Sequence, residues 1–357
     1  MTLPPSRPFR LAINGYGRIG RCFVRALKER GMEKEFQIVA LNDPADLESM
    51  VYLTRFDSTH GRFPGKIDKA ENALILDGTR VRVTHAREPE ALHWSALEID
   101  LLVECSGQYG ERADLSRFLA AGAPRLLLSQ PGASAADVDA TLVYGFNHAT
   151  LRGAERLVSA ASCTTNAAVP TLSALLETWG EAAIDQAILT TLHSVMNDQP
   201  LIDGYHHADL RRTRSAMQSV IPVSTGLARG VERLLPCLSG KIAAKAIRVP
   251  TTNVSALDVM IILNPARVPR NLTAETINQI FSARANSDDR IAYTETPHAS
   301  IDFSHLPHSV IVDGSQTRVM GHGLVNLFLW FDNEWGFVNR MLDITRHWLT
   351  LETAASL

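Results

Sequence analysis

Cys163 stands in the string Ser162-Cys163-Thr164-Thr165-Asn166, just before a helix-like stretch over 167–176. Ser162 is a good N-cap, which puts the thiol in the first helical turn. Unpaired N–H groups and the helix dipole there are expected to acidify the thiol, and the same N–H groups suit an oxyanion. The chemistry on offer is nucleophilic attack on a carbonyl. A buried structural cysteine is the competing reading, and spacing alone leaves both open. Cys22, Cys105 and Cys237 lack the capped polar setting and read as structural. A nucleophilic thiol needs a base. His193 closes the apolar run 188–192, where a strand end would project it into a cleft. His206, His207, His298, His305 and His308 compete for the role. His305 and His308 have the spacing of a metal pair, but no third ligand follows at a convincing distance, so no metal is expected.

A second chemistry lies upstream. Asn14-Gly15-Tyr16-Gly17-Arg18-Ile19-Gly20 fits Gly-x-Gly-x-x-Gly between an apolar run at 9–13 and a helical stretch at 19–30. Gly15 makes the tight turn, Gly17 lets the backbone approach a pyrophosphate, and Gly20 allows close helix–strand packing. The helix N-terminus then receives the anion. Asp43 lies 23 residues past Gly20, near the spacing of about 20 for an acid that bonds the ribose hydroxyls. A carboxylate there repels a 2′-phosphate, so NAD rather than NADP is expected. An incidental Asp behind an ordinary strand–turn–helix is the bland alternative, and the context weighs against it.

The elements that must position these groups change character along the chain. Apolar runs at 9–13, 37–41, 99–103 and 125–128, with helical stretches at 19–30 and 112–121, predict a mostly parallel α/β half. Asp77-Gly78 between 74–76 and 81–83 predicts a hairpin. The second half carries β-branched runs at 188–192, 243–249, 254–263, 310–312 and 324–331, which predict an antiparallel or mixed sheet. Asp313-Gly314 reads as another hairpin signal. The spacing of Phe337, Met341, Leu342, Thr345, Trp348 and Leu349 predicts a closing helix. The change of composition falls near 150–162.

At 357 residues, about two domains are expected. A net charge of −3 argues against nucleic acid held by bulk charge. The uncharged stretch 158–176 carries too many hydroxyls and amides, with Pro170, for lipid, so no membrane partner is expected. Four scattered cysteines and the absence of a leader-like apolar run near the N-terminus lead to a cytoplasmic expectation.

Gly15–Gly20, Asn42-Asp43-Pro44, Ala161-Ser-Cys-Thr-Thr-Asn166 and His193, in this order, resemble the glyceraldehyde-3-phosphate dehydrogenase family from about Arg10 to Leu349. Asp57-Ser-Thr-His-Gly61, Asp209-Leu-Arg-Arg212, Ser224-Thr-Gly226, Arg248-Val-Pro250 and Trp330-Phe-Asp-Asn-Glu-Trp-Gly336 strengthen the likeness. The resemblance implies a Rossmann-type NAD-binding domain over 1–162, on which the terminal helix 333–357 packs back. It also implies an α+β catalytic domain with a mostly antiparallel sheet over 163–332. It implies Cys163 as nucleophile and His193 as base. Cofactor contacts fall to Gly15, Gly17, Arg18, Ile19, Gly20, Asp43, Ser106 and Asn333. Substrate contacts fall to Ser162, Thr164, Arg212, Thr225, Gly226 and Arg248, whereas Arg211 and Arg214 read as a solvated or interface face. The segment 210–218 matches the family's loop near a neighbouring subunit's cofactor, so a homotetramer is implied.

Within the family, His193-Ser-Val-Met-Asn-Asp-Gln199, Tyr144-Gly145, the string 209–214 and the string 307–319 are similar to the branch that oxidises D-erythrose 4-phosphate, in pyridoxal 5′-phosphate biosynthesis. Met196 stands where the triose-phosphate enzymes usually carry a phosphate-binding threonine, and Phe337 replaces their usual tyrosine. Ala167 replaces the usual second cysteine and Ala160 an asparagine. Ser224-Thr225-Gly226 is shared with the triose-phosphate enzymes. A phosphorylating triose-phosphate dehydrogenase is therefore the nearest alternative. A non-enzymatic NAD-binding redox sensor and a cofactor-free cysteine hydrolase are readings from other classes.

Overall fold

The computed structural model describes residues 7–321 and 323–355; the first six residues, within the stretch read above for a leader, lie outside it. The chain divides into two compact units, residues 1–161 with 338–357, and residues 162–337.

In the first unit, β1 (Phe9–Asn14) runs into α1 (Arg18–Glu29), which returns to β2 (Phe36–Asn42). A short α2 (Leu47–Arg55) follows, then a small hairpin of β3 (Phe56–Asp57) and β4 (Gly61–Arg62). The meander β5 (Ile67–Ala70), β6 (Ala73–Leu76) and β7 (Thr79–Thr84) leads to β8 (Leu101–Glu104), α3 (Arg112–Ala120), β9 (Leu126–Leu128), β10 (Ala140–Thr141) and β11 (Leu157–Ser159). The sheet order is β10-β11-β9-β8-β1-β2-β7-β6-β5. Every pair from β10 to β7 is parallel, and the last two are antiparallel. The chain winds outward in both directions from β1, so the switch point of a doubly wound sheet lies between β1 and β8. Ligands of such sheets bind outside the carboxyl ends of these strands. Asp77 and Gly78 both have positive φ, 46° and 83°, as the expected two-residue hairpin requires.

In the second unit, α4 (Cys163–Trp179) precedes β12 (Ile184–His193) and β13 (Ile221–Val223). Then come α5 (Leu227–Leu234), β14 (Ile242–Arg248), β15 (Ser255–Leu263), α6 (Ala274–Ser287), β16 (Ile291–Thr294), β17 (Val310–Asp313), β18 (Arg318–Met320), β19 (Leu324–Phe331) and α7 (Trp335–Ala355). The main order is β13-β14-β12-β15-β19-β17-β16, with β18 on β19. Two of the pairs, β12–β14 and β16–β17, are parallel and the rest antiparallel, so the sheet is mixed. The Asp313-Gly314 hairpin does not form. Asp313 Oδ1 caps a short 3-10 turn by accepting from Ser315 N–H at 3.1 Å, and β17 and β18 each pair with β19 instead. The side-chain cap takes the place of the turn that the dipeptide favours.

The later part of α7 belongs to the first unit. Asp343 pairs with Arg30 at 2.7 Å and Arg346 with Glu35 at 2.7 Å. Met341, Leu342, Thr345, Trp348 and Leu349, the stripe read from the spacing, are buried. Among the described residues no helix is long and apolar enough to cross a membrane.

Candidate active site

The Gly-rich turn lies between β1 and α1, as expected. Gly15 has φ +88°, and a Cβ there would come within 2.4 Å of Ser106 N. Gly20 would bring one within 2.3 Å of Gly15 O, whereas Gly17 has open space around it. Gly17 is also the N-cap of α1 and, as a glycine, supplies no side-chain cap, so the opening turn of α1 at Arg18, Ile19 and Gly20 is not closed by an N-cap side chain. This is the bare cradle a pyrophosphate needs. The Arg18 side chain itself is committed elsewhere, to Asp57 at 2.5 Å. Burial alone would push the Asp57 carboxyl up, but Arg18 and the His60 and Thr59 N–H groups hold it down at about 2.

A cavity of about 280 Å³ opens at this turn, lined in part by Asn14, Gly15, Gly17, Asp43, Ser106 and Tyr109. Asp43 accepts from Tyr16 N–H at 2.7 Å and from Ala45 N–H at 2.9 Å. The turn and the acid expected at the ribose are thus tied to each other. The donors and shape at this cavity fit a dinucleotide.

In the second unit the thiol sits at the start of α4. Ala161, at φ 59°, swings the chain into an extended Ser162, whose Oγ accepts from Thr165 N–H at 3.1 Å. Cys163 Sγ lies 3.9 Å from His193 Nε2. His193 ends β12, and its Nδ1 is 2.7 Å from the Ser194 carbonyl. A carbonyl only accepts, so Nδ1 carries the proton and Nε2 turns its lone pair to the sulfur.

The electrostatics correct one expectation. Burial pushes the Cys163 thiol up to about 11, against the Thr164 N–H and Arg248, which favour the thiolate. The helix terminus does pull the thiol down, but desolvation is larger. Burial also lowers His193 to about 4, and Arg248 adds to that. The resting pair is therefore a neutral thiol beside a neutral imidazole with its acceptor nitrogen aimed at it.

His193 and Arg248 are register partners on the parallel strands β12 and β14. Asp198 accepts from Arg212 at 2.8 Å and from Arg248 at 3.4 Å. Arg212 also meets Asp209 at 3.6 Å. Both arginines are thus ion-paired, and one carboxylate joins them. Gln199 Nε2 and Arg212 Nε are buried donors without a hydrogen-bond acceptor among the described residues. Donors left over beside two guanidinium groups suit an incoming anion. Thr225 Oγ1 accepts from Leu227 N–H at 3.2 Å, and Gly226 is the N-cap of α5. That helix packs on the first turn of α4, since a Cβ at Gly230 would come within 2.9 Å of Thr165 Oγ1. The Thr164 hydroxyl is 3.0 Å from that of Ser162. Asn333 Oδ1 accepts from the Ser194 and Ser255 hydroxyls at 3.0 and 2.9 Å, which leaves its NH₂ as the donor end. Arg214 pairs with Asp203 on an exposed face.

Residues 9–112 match the family description "Glyceraldehyde 3-phosphate dehydrogenase, NAD binding domain". Residues 162–333 match "Glyceraldehyde 3-phosphate dehydrogenase, C-terminal domain". The chain belongs to the glyceraldehyde-3-phosphate dehydrogenase family. It is an NAD-dependent dehydrogenase of that family, with a Rossmann-type domain followed by a mixed, mostly antiparallel sheet.

Sequence reading passed over Asp198, Ser194, Ser255 and Glu104. Asp198 lies inside a string read only for its likeness. Glu104 left a signal, an acid closing an apolar run, as did Asn14 and Asn42 at the ends of theirs.

Proposed function

We propose that this enzyme oxidises D-erythrose 4-phosphate to 4-phospho-D-erythronate and releases the product with water. The observation that carries the substrate choice is Met196. It lies in the turn closed by Gln199 N–H on its carbonyl at 3.1 Å, two residues before the Asp198 that joins Arg212 and Arg248. A thioether cannot donate to a phosphate, so anion binding in this chain rests on the arginines and the unmatched amide of Gln199.

In the proposed reaction the Cys163 sulfur attacks the aldehyde carbon as its proton passes to His193 Nε2. The Cys163 N–H, at the first position of α4, holds the oxyanion, and Thr164 lies beside it. Arg212, Arg248, Thr225 and Gly226 receive the phosphate, with Ser162 shaping the turn. NAD, held by the Gly15–Gly20 turn, Asp43 and Ser106, supplies the hydride acceptor. The Asn333 NH₂ is assigned to its carboxamide. Loss of hydride from the carbon leaves a thioester on Cys163. His193 first gives up the thiol proton to solvent; its Nε2 then takes a proton from water as the water attacks the acyl carbon, and the leaving thiolate takes that proton back. The net reaction consumes aldehyde, NAD⁺ and water, and yields the acid, NADH and a proton.

Exposed Leu201, Ile202, Tyr205, Leu210 and Val220 support self-association through this segment, in keeping with a homotetramer. Four free cysteines suit a cytoplasmic enzyme.

The deciding experiment follows NADH absorbance with D-erythrose 4-phosphate and D-glyceraldehyde 3-phosphate, each with and without inorganic phosphate. Fast, phosphate-independent turnover of the four-carbon aldehyde is expected. Strictly phosphate-dependent turnover, mainly of the triose, would assign the chain to the phosphorylating branch, the reading that Ser224-Thr225-Gly226 favours.

A further inference from the structure

The carboxyl group of Glu104 is buried, 1% exposed, and takes no part in the chemistry above. It ends a row of polar side chains that crosses β7, β2, β1 and β8. Thr84 is the register partner of Asn42, Asn42 of Asn14, and Asn14 of Glu104. The direction of each bond is set from the far end. Ala86 N–H donates to Asn42 Oδ1 at 2.9 Å, and the Ala86 carbonyl accepts from Asn42 Nδ2 at 2.9 Å. Backbone groups cannot exchange these roles, so the Asn42 amide has one orientation. Its Nδ2 also donates to Asn14 Oδ1 at 2.7 Å, which turns Asn14 Nδ2 to Glu104 Oε2, 2.5 Å away.

At the other oxygen, Ser106 N–H donates to Glu104 Oε1 at 2.7 Å, and the Ser106 hydroxyl meets the same atom. Each carboxyl oxygen therefore faces an N–H donor whose direction the backbone has set. A carboxylate satisfies all of them. A carboxylic acid would have to turn the Ser106 hydroxyl away to find an acceptor for its own proton. Burial pushes the group up, and the Ser106 and Asn14 hydrogen bonds oppose this without reversing it. Among the described residues no lysine, arginine or histidine pairs with it. The neighbours in the row, Asn14, Asn42 and Ser106, line the dinucleotide cavity.

We propose that Glu104 is an ionised carboxylate without a direct ion-pair partner, whose field biases the cavity toward the oxidised dinucleotide, with its cationic nicotinamide ring, over the reduced one, with its neutral ring. Glu104 acts through the field and through Ser106, without touching the cofactor. The inference rests on this cavity being the NAD site.

The test is calorimetric titration of NAD⁺ and NADH, without aldehyde, into the wild-type enzyme and its variants. In Glu104→Gln the Kd for NAD⁺ should rise relative to that for NADH by roughly 3- to 15-fold, the scale of one charge acting across a binding site through an effective dielectric of about 20–40. Gln sets one donor against another, so both dinucleotides will weaken; the ratio removes that shared loss. Glu104→Ala, where water can fill the space and accept from the same donors, should shift the ratio the same way and serves if the first variant does not fold. Asn14→Asp combined with Glu104→Gln moves the carboxylate one strand toward β2 while every donor still meets an acceptor. It should return the ratio to near the wild-type value. Equal weakening of both dinucleotides in the neutral variants overturns the proposal, as does a combined variant that behaves like them. A wild-type protein that binds neither dinucleotide overturns the cavity assignment, and the proposal with it.

Discussion

At the dinucleotide cavity the buried acid, Glu104, is held by neutral donors, an amide, a backbone N–H and a hydroxyl. At the thiol site the buried Arg248 and the part-buried Arg212 share Asp198. The two regions meet the same desolvation penalty by different means, and the difference follows from what each receives. The first unit offers backbone N–H groups and a buried carboxylate in a parallel register, with Asp43 and Arg87 also lining the cavity, which suits a large ligand bound by shape. The second offers strong point charges and a neutral proton-transfer pair, which suits a small anion and a change of protonation. Dipoles fixed by the backbone cost little to preorganise, whereas paired charges must be partly surrendered when the ligand arrives.

The comparison breaks most sharply at the nucleophile. Cys163→Ala should lower aldehyde-dependent NADH formation by about 10⁴-fold or more and leave the Kd for NAD nearly unchanged. Measurable turnover would remove the thiol from the mechanism, and a large loss of NAD binding would show the two sites to be one cooperative unit.

His193→Asn comes next, with hydride formation in a single turnover slowed roughly 10²–10⁴-fold. The pH dependence sharpens this. With His193 lowered to about 4 and Cys163 raised to about 11, alkylation of the free enzyme by iodoacetamide should climb steadily from neutrality toward pH 11. A plateau near pH 7 would mean that the thiolate forms at rest. The signs for stability follow. Between about pH 4 and the ordinary histidine value, the unfolded chain binds a proton that the fold refuses, so stability falls as pH drops through that window. Between the ordinary thiol value and about 11, the unfolded chain has released a proton that the fold keeps. Stability therefore falls as pH rises there.

Arg248→Gln should raise KM for the phosphorylated aldehyde by about tenfold or more, the effect of one lost charge-assisted hydrogen bond, with the Kd for NAD unmoved. An unchanged KM would leave Arg248 as the structural partner of Asp198 alone. Asp43→Ala should give the smallest effect, a several-fold erosion of the preference for NAD over NADP measured by kcat/KM. Because Asp43 also holds Tyr16 N–H and Ala45 N–H, a loss that falls equally on both cofactors would identify it as a turn anchor.

Much of this molecule is legible in the order of its residues. The Gly15–Gly20 turn, the Asp77-Gly78 hairpin and the closing helix are local, and local sterics and periodicity decide them. The capped Cys163 and strand-end His193 stand out by their neighbours, but spacing leaves a structural cysteine and other histidines open, and the family resemblance chooses between them. Asp313-Gly314 shows where such reading stops, since the Asp313 side chain accepts from Ser315 N–H in a short 3-10 turn instead of opening a hairpin.

What only the tertiary structure decided are the quantities that depend on partners distant in the chain. Residue order carries no measure of burial at Cys163, a sum over neighbours from many segments, which pushes the thiol up against the helix terminus beside it. Arg212 and Arg248 are joined through an Asp198 that neither adjoins in sequence. Glu104 closes a run that reads as an ordinary buried strand, and its role emerges only when the parallel register sets Asn42 and Asn14 beside it. Residue types and local spacing determined which chemistry this chain carries; the strand register, through directional hydrogen bonds and desolvation, decided the charge state in which that chemistry is held.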